Sequence, residues 1–285
     1  MKPYLRQFVE FILFSQLFIA AGAAAQTAFT YQLIGQAIDL HVVALVFFAT
    51  IALYNLSMVL SNPGKKPSSL LKRVQWMSKH QHLCSSFTLI GGLSTLCLSF
   101  FLSATAQVVL ASLALISIAY SLPLLPFRGE RVSLRNIPGL KLILIALVWS
   151  LSTTLLPIVN SPAILSDGTL WILLTQRLLF FMAIAIPFDV RDIYQDSIYS
   201  LKTIAVALGK QKSQNIAHLS LALSSAIWWH LSSYSVGLLI PIIVVWGVAT
   251  WCIQRADKQK ELFYFIVLDG LLFLAPGLLA LNAIA

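Results

Sequence analysis

Apolar residues arrive in runs of about twenty, and that length limits the folds open to this chain more than any other feature. A helix rises about 1.5 Å per residue, so about twenty residues cross the roughly 30 Å hydrocarbon layer of a bilayer. Nine such runs can be marked, at approximately 9–29, 40–61, 83–103, 105–126, 137–158, 169–188, 215–232, 236–253 and 262–281. Of 285 residues, 59% are hydrophobic and 10% charged, against about 25% charged in soluble proteins. Lipid is therefore the expected solvent. The expected fold is an all-α polytopic bundle of nine transmembrane helices forming one domain over 1–285, with no room for a second.

If the N-terminus is inside, every connection acquires a side, and the positive-inside rule can be checked against each. All but one of the 19 Lys and Arg residues then fall inside, the exception being Arg177 within the sixth run. The outer connections, near 30–39, 159–168 and 233–235, carry Asp39 and Asp167 and no basic residue. This pattern predicts a cytoplasmic N-terminus, an outer C-terminus and a site near the long inner connections 62–82 and 189–214. It fits a bacterial inner membrane. The net charge of +9 follows from this orientation and from attraction to anionic headgroups, and implies no nucleic-acid partner. Lys2, Arg6 and the small residues Ala20 to Ala25 imitate a secretory signal, but the apolar stretch outlasts the core of one and the charge pattern needs it, so a retained helix is expected. Cys84, Cys97 and Cys252, odd in number and placed within runs, suggest no disulfide framework or metal spacing.

The polar chemistry concentrates in Pro187-Phe188-Asp189-Val190-Arg191-Asp192-Ile193-Tyr194-Gln195-Asp196, directly after the sixth run. Aspartates at i, i+3 and i+7 share a helix face and repel one another unless a cation lies among them. Hard carboxylate oxygens suit Mg²⁺ or Ca²⁺; Mg²⁺ takes one or two carboxylates and fills its remaining positions with water and phosphate oxygens, which suits an open site at the lipid boundary. The other reading of the same spacing is a solvated helix end on which Arg191 pairs with its neighbours.

Asp189, Asp192 and Asp196, followed by Ser200, Lys202, Thr203 and Gly209, resemble the second aspartate-rich motif of the UbiA-type membrane prenyltransferases, with Ser200 in place of a glycine. Tyr120, Pro123 and the basic connection after the fourth run are also similar to that family. The resemblance implies nine helices and a cytoplasmic-side site. There the three aspartates would hold Mg²⁺ on the diphosphate of an allylic isoprenoid, whose cation alkylates an aromatic or other lipid-soluble, hydrophobic acceptor. The family's first motif, Asn-Asp-x-x-Asp-x-x-x-Asp, is eroded: aligned on Asn55, its aspartate positions hold Leu56, Val59 and Pro63. Lys65, Lys66, Lys72, Arg73 and Lys79 in the next connection could neutralise diphosphate directly through charge-assisted hydrogen bonds, or could serve orientation alone. On this reading Asn55, Lys65, Lys66, Lys72, Arg73, Arg177 and Lys202 bind substrate.

Arg177 and Asp269 are expensive inside spans, and counting from the ends of the runs puts them at similar depth. They are expected to pair, the alternative being that Arg177 contacts an anionic substrate. His41, His80, His82, His218 and His230 show no ligand spacing. Pro157, Pro187 and Pro241 mark kinks or boundaries. Two readings of function remain: a Mg²⁺-dependent prenyltransferase, and a non-catalytic relative that binds an isoprenoid or lipid. A small transporter has Arg177 and Asp269 alone in its favour.

Overall fold

The structure is a computed structural model and describes residues 3–60, 72–123, 125–127, 130–137, 139–163, 165–198, 203–231, 236–256 and 261–284. Its helices are α1 Pro3–Phe14, α2 Leu17–Leu33, α3 Leu40–Leu60, α4 Lys72–Lys79, α5 Gln81–Ser99, α6 Ala104–Ser121, α7 Leu140–Ser150, α8 Leu156–Asn160, α9 Asp167–Ile198, α10 Ile204–Leu208, α11 Lys210–Leu231, α12 Val236–Arg255, α13 Glu261–Phe263 and α14 Leu271–Ile284. Among the described residues the departure from an all-α reading is a short antiparallel ribbon between α6 and α7, β1 Leu125–Phe127 with β2 Glu130–Val132.

Helices α3, α5, α6 and α9, and the continuous stretch Leu140–Asn160, are each long and apolar enough to cross a membrane. Helices α1 and α2, bent by 56°, would add a sixth span, so the first expected span is in fact broken. The burial pattern is inverted relative to a water-soluble domain. Leu89, Leu93 and Leu96 of α5, Leu115 of α6 and Ile240 and Ile243 of α12 are exposed, whereas Gln26, Thr27, Thr30, Asn55, Thr153, Gln176, Gln214 and Ser224 are buried. Apolar surface against lipid and polar groups turned inward is how a bundle satisfies its backbone without water. This is an integral membrane protein.

Helix α2 is the polar strut of the bundle. A proline cannot donate to the carbonyl four residues before it. Pro157 thus frees Thr153 O, at a π-helical turn over Leu151–Leu155, and Thr30 Oγ1 donates to that oxygen at 2.7 Å. Pro276 likewise frees Leu272 O, which accepts from Gln26 Nε2 at 2.6 Å. Elsewhere Gln176 Nε2 donates to Ser224 Oγ at 2.9 Å, joining α9 to α11, and Gln214 Nε2 donates to Ile253 O at 2.9 Å, joining α11 to α12.

Two breaks shape one end of the bundle. Gln16, between α1 and α2, is left-handed at φ 73°, and the carbonyls exposed by the break are taken by side chains. Asn55 Nδ2 donates to Ser15 O at 3.1 Å and Gln16 Nε2 to Phe14 O at 2.9 Å. The second break follows a π-helical turn at Tyr264–Leu268, where an added Cβ on Gly270 would collide with the Ile266 carbonyl oxygen. Helix α9, with 32 residues, is about 48 Å long, so its last turns outrun a 30 Å hydrocarbon layer and carry Asp189, Asp192 and Asp196 to its edge.

Candidate functional site

Four elements deliver charged side chains to one cavity of about 210 Å³ at that end: Arg73 from α4, Lys141 from α7, Asp189 and Asp192 from α9, and Asp269 from the turn before α14. The remaining wall is largely apolar and aromatic, with Trp149, Phe181, Phe188 and Phe265 among its residues.

The acids of α9 are divided between two cations. Lys141 Nζ lies 2.7 Å from Asp189 Oδ1 and 3.5 Å from Asp196 Oδ2, so one ammonium bridges the first and last aspartates. Arg191 grips Asp192 with Nε at 2.7 Å and the second nitrogen at 2.8 Å, and its guanidinium lies over the Tyr264 ring, 4.8 Å from the centroid. Burial pushes the Asp196 carboxyl up, against the pull of Lys141 beside it. Of the three aspartates expected to share one metal ion, none forms a three-ligand group: among the described residues no three His, Cys, Asp or Glu groups stand together as metal ligands. What is available is a pair on the cavity wall, Asp189 and Asp192. Asp189 Oδ2 is buried and makes no hydrogen bond among the described residues. Two hard carboxylates completed by phosphate oxygens and water fit one Mg²⁺ ion.

The polar cavity continues into apolar space. Tyr54 and Trp149 line it and also line two further chambers, of about 200 and 600 Å³, the larger walled by α3, α5, α6 and α7 and reaching Ser99 and Gln107 at the far end of α5 and α6. Trp149 Nε1 donates to Tyr54 Oη at 3.0 Å, which fixes both rings at the neck. A ligand suited to this space has a charged head and a long apolar tail.

No protein-family model matches the sequence, and no curated protein matches it. Solved structures do match. The apo structure of a UbiA homologue from Aeropyrum pernix K1 covers 97% of this chain and 98% of its own, with a TM-score of 0.63 at 15% identity. A UbiA homologue from Archaeoglobus fulgidus bound to GPP and Mg²⁺ covers 97% and 100%, with a TM-score of 0.64 at 11% identity. A structure concerning digeranylgeranylglyceryl phosphate synthase in membranes covers 97% of each chain, with a TM-score of 0.56 at 15% identity. The chain has the UbiA fold.

Within this UbiA fold, Arg73 lines the cavity, while Lys72 is exposed at the start of α4 and outside the lining. Lys65, Lys66 and Lys202 lie outside the described residues. The structure places Asn55 and Arg177 away from the cavity lining. Asn55 is fully buried and is not among the residues lining the cavity; its Nδ2 donates to Ser15 O and to Ile51 O at 2.9 Å, which clamps the α1–α2 break, while its Oδ1 makes no hydrogen bond among the described residues. Arg177 does not pair with Asp269. It is 1% exposed, donates to Gln26 Oε1 in a short hydrogen bond and to Thr30 Oγ1 at 3.5 Å, and lies 4.4 Å from the centroid of the Phe29 ring. The physical reason is that α2 stands in the way: Gln26 takes Arg177 on one side and Leu272 O of α14 on the other. Arg177 is also not among the residues that line the polar cavity.

Lys141, Asp269, Tyr54 and Trp149 are the site residues that sequence reasoning missed. Lys141 had a signal: a lysine in the first turn of an apolar run either snorkels outward or faces a cavity, and the second option lies next to the acid-rich end of α9.

Proposed function

We propose that this protein is a UbiA-type intramembrane prenyltransferase that moves a prenyl group from an allylic diphosphate to a lipid-soluble, aromatic acceptor. The observation that carries this reading is the joining of an acid- and base-lined cavity to apolar chambers through one aromatic neck. It is supported by the fold shared with UbiA homologues bound to GPP and Mg²⁺ and to DMAPP and Mg²⁺.

In this reading Asp189 and Asp192 would hold Mg²⁺, which when bound neutralises the charge that develops on the departing diphosphate. Arg73 and Lys141 meet the diphosphate oxygens with charge-assisted hydrogen bonds, joined by Lys65, Lys66 and Lys202. The prenyl tail passes the neck into the larger chamber, so the allylic carbon stops beside Tyr54, Trp149 and Phe181. Their ring faces stabilise the positive charge that forms there, and the apolar wall keeps water from capturing it. Leu56 and Val59 bring no carboxylate from α3, so this chain offers cationic side chains where its family would bring further acids. The single domain spans the membrane nine times, with its N-terminus and site on the cytoplasmic side and its C-terminus outside, in a bacterial inner membrane.

A second reading, a non-catalytic binder of isoprenoid or lipid, is favoured by one observation: Lys141 and Arg191 already pair with the acids of α9. The two readings separate in an assay of diphosphate release from a panel of allylic prenyl diphosphates, with and without Mg²⁺, beside Asp192→Ala. The enzyme releases diphosphate with Mg²⁺ and loses this in the variant; binding without release supports the binder.

A further inference from the structure

Lys141 stands where a helix disfavours a cation. Gly139 is left-handed at φ 74° and α7 starts at Leu140, so Lys141 lies in the first turn, at the positive end of the helix dipole. Its ammonium is held there by α9, with Nζ 2.7 Å from Asp189 Oδ1 and 3.5 Å from Asp196 Oδ2. Asp189 is 5% exposed, and its Oδ2 is buried with no hydrogen bond among the described residues. Lys141 and Asp189 line the polar cavity together with Arg73 and Asp192. One of the two carboxylates that fit Mg²⁺ therefore already carries a cation that belongs to the protein.

Two cations share that carboxylate only at a cost. Mg²⁺ binds oxygen at about 2.0–2.1 Å, so an ion on Asp189 Oδ2 would come within roughly 6 Å of an ammonium seated on Oδ1, where like charges in a partly buried site repel. A diphosphate changes the balance. Its oxygens accept charge-assisted hydrogen bonds from an ammonium, and the flexible four-carbon stem of a lysine lets Nζ turn from the carboxylate to an anion in the same cavity while the backbone stays in α7. Arg191 is a poorer candidate for such an exchange: it grips Asp192 through two nitrogens and lies over the Tyr264 ring.

We infer that Lys141 is a positioning residue that sets the order in which the site fills: it neutralises Asp189 until a diphosphate draws its ammonium away, and Asp189 is then open to a divalent ion. Diphosphate binds first and the metal second. This rests on the prenyltransferase reading for the identity of the anion and adds to it the order of assembly.

The test uses the purified full-length protein in detergent, with inorganic pyrophosphate and Mn²⁺ each offered alone. Calorimetric titration in EDTA should show that the wild-type protein binds pyrophosphate without metal, and that Lys141→Met weakens this by about tenfold or more. Electron paramagnetic resonance should show that Lys141→Met binds Mn²⁺ about tenfold or more tightly than the wild-type protein, whereas Lys141→Arg, which keeps the charge, binds it no more tightly. A lysine that only ties α7 to α9 would, when removed, lower Mn²⁺ affinity or leave it unchanged, and either result overturns the inference. Unchanged pyrophosphate affinity in Lys141→Met overturns it too. So does a wild-type protein that takes up no pyrophosphate in EDTA, a measurement that needs no variant to fold. Mg²⁺-dependent diphosphate release from geranyl diphosphate, assayed on the same preparation, separates the two levels. Release without these binding changes sinks the order of assembly alone, and the binding changes without release sink the enzyme reading alone.

Discussion

Gln26 does the work that the sequence appeared to give to an aspartate. A buried arginine in a membrane span invites a search for an acid, and Asp269 offered the matching depth. The partner is instead a neutral glutamine one helix closer, which also closes the carbonyl freed by Pro276. Sequence counting reads depth along each helix but not which helix lies between two others, and a glutamine within an apolar run carries no charge to draw attention. Gln26→Leu should therefore leave both Arg177 and Leu272 O short of a partner and lower unfolding stability in detergent by about 3 kcal/mol, the scale of a hydrogen bond to a charged group plus an orphaned carbonyl. Asp269→Asn should change stability little, since Asp269 closes no ion pair among the described residues. Denaturant titration of both variants checks this, and the reverse order of effects would restore the Arg177–Asp269 pair.

Between elements, α7 and α9 are joined at the site by Lys141, whose ammonium stands between two acids as a built-in counter-ion. Lys141→Met leaves Asp189 and Asp196 facing each other without it. Losing one partner of a fully buried pair costs about 3–5 kcal/mol, and the partial exposure of Lys141 reduces this to roughly 2–3 kcal/mol. Mg²⁺ should then raise the melting temperature of the variant more than that of the wild-type protein, because the ion replaces the missing charge; melting curves in EDTA and in Mg²⁺ read this directly. Helices α3 and α5, which wall the larger chamber, are set by backbone contact. An added Cβ at Gly91 would stand 2.8 Å from Phe48 O and 3.1 Å from Ala52 N, whereas one at Gly92 meets nothing within 4 Å. Gly91→Ala should destabilise by about 1–3 kcal/mol through overpacking. Gly92→Ala should be neutral or gain up to about 1 kcal/mol of helix propensity. Similar thermal stability for the two variants would show that the helices are not in contact there. The acid spacing on α9 was legible in the sequence because it lies on one continuous helix. Lys141 and the aromatic neck were not, because each is defined by a partner far away in the chain.

For the whole molecule, the feature most legible in the sequence was the apolar spacing, and it carried the fold: long helices with lipid-facing leucines and buried amides. What the spacing could not show is where a span breaks. The break at Gln16 and the turn before Gly270 come from a left-handed backbone and a π-helical turn, which leave hydropathy unchanged. The breaks matter to orientation, since a bent first span could lie along the membrane surface and shift every later side. The nine-span reading makes a sharp claim here: Lys210 and Arg255 face one side, and Asp167 the other. In a variant whose three cysteines are replaced, Lys210→Cys and Arg255→Cys should react with a membrane-impermeant maleimide in inverted bacterial membrane vesicles and stay unlabelled in intact cells. Asp167→Cys should do the opposite. Labelling of Lys210→Cys and Arg255→Cys from opposite sides would mean that α11 and α12 do not form a pair of crossings. The span count would then fall short of nine, and the site would need to be placed afresh relative to the membrane. Labelling of all three from one side would show that the stretch from α9 to α11 crosses an even number of times, which contradicts the charge pattern outright.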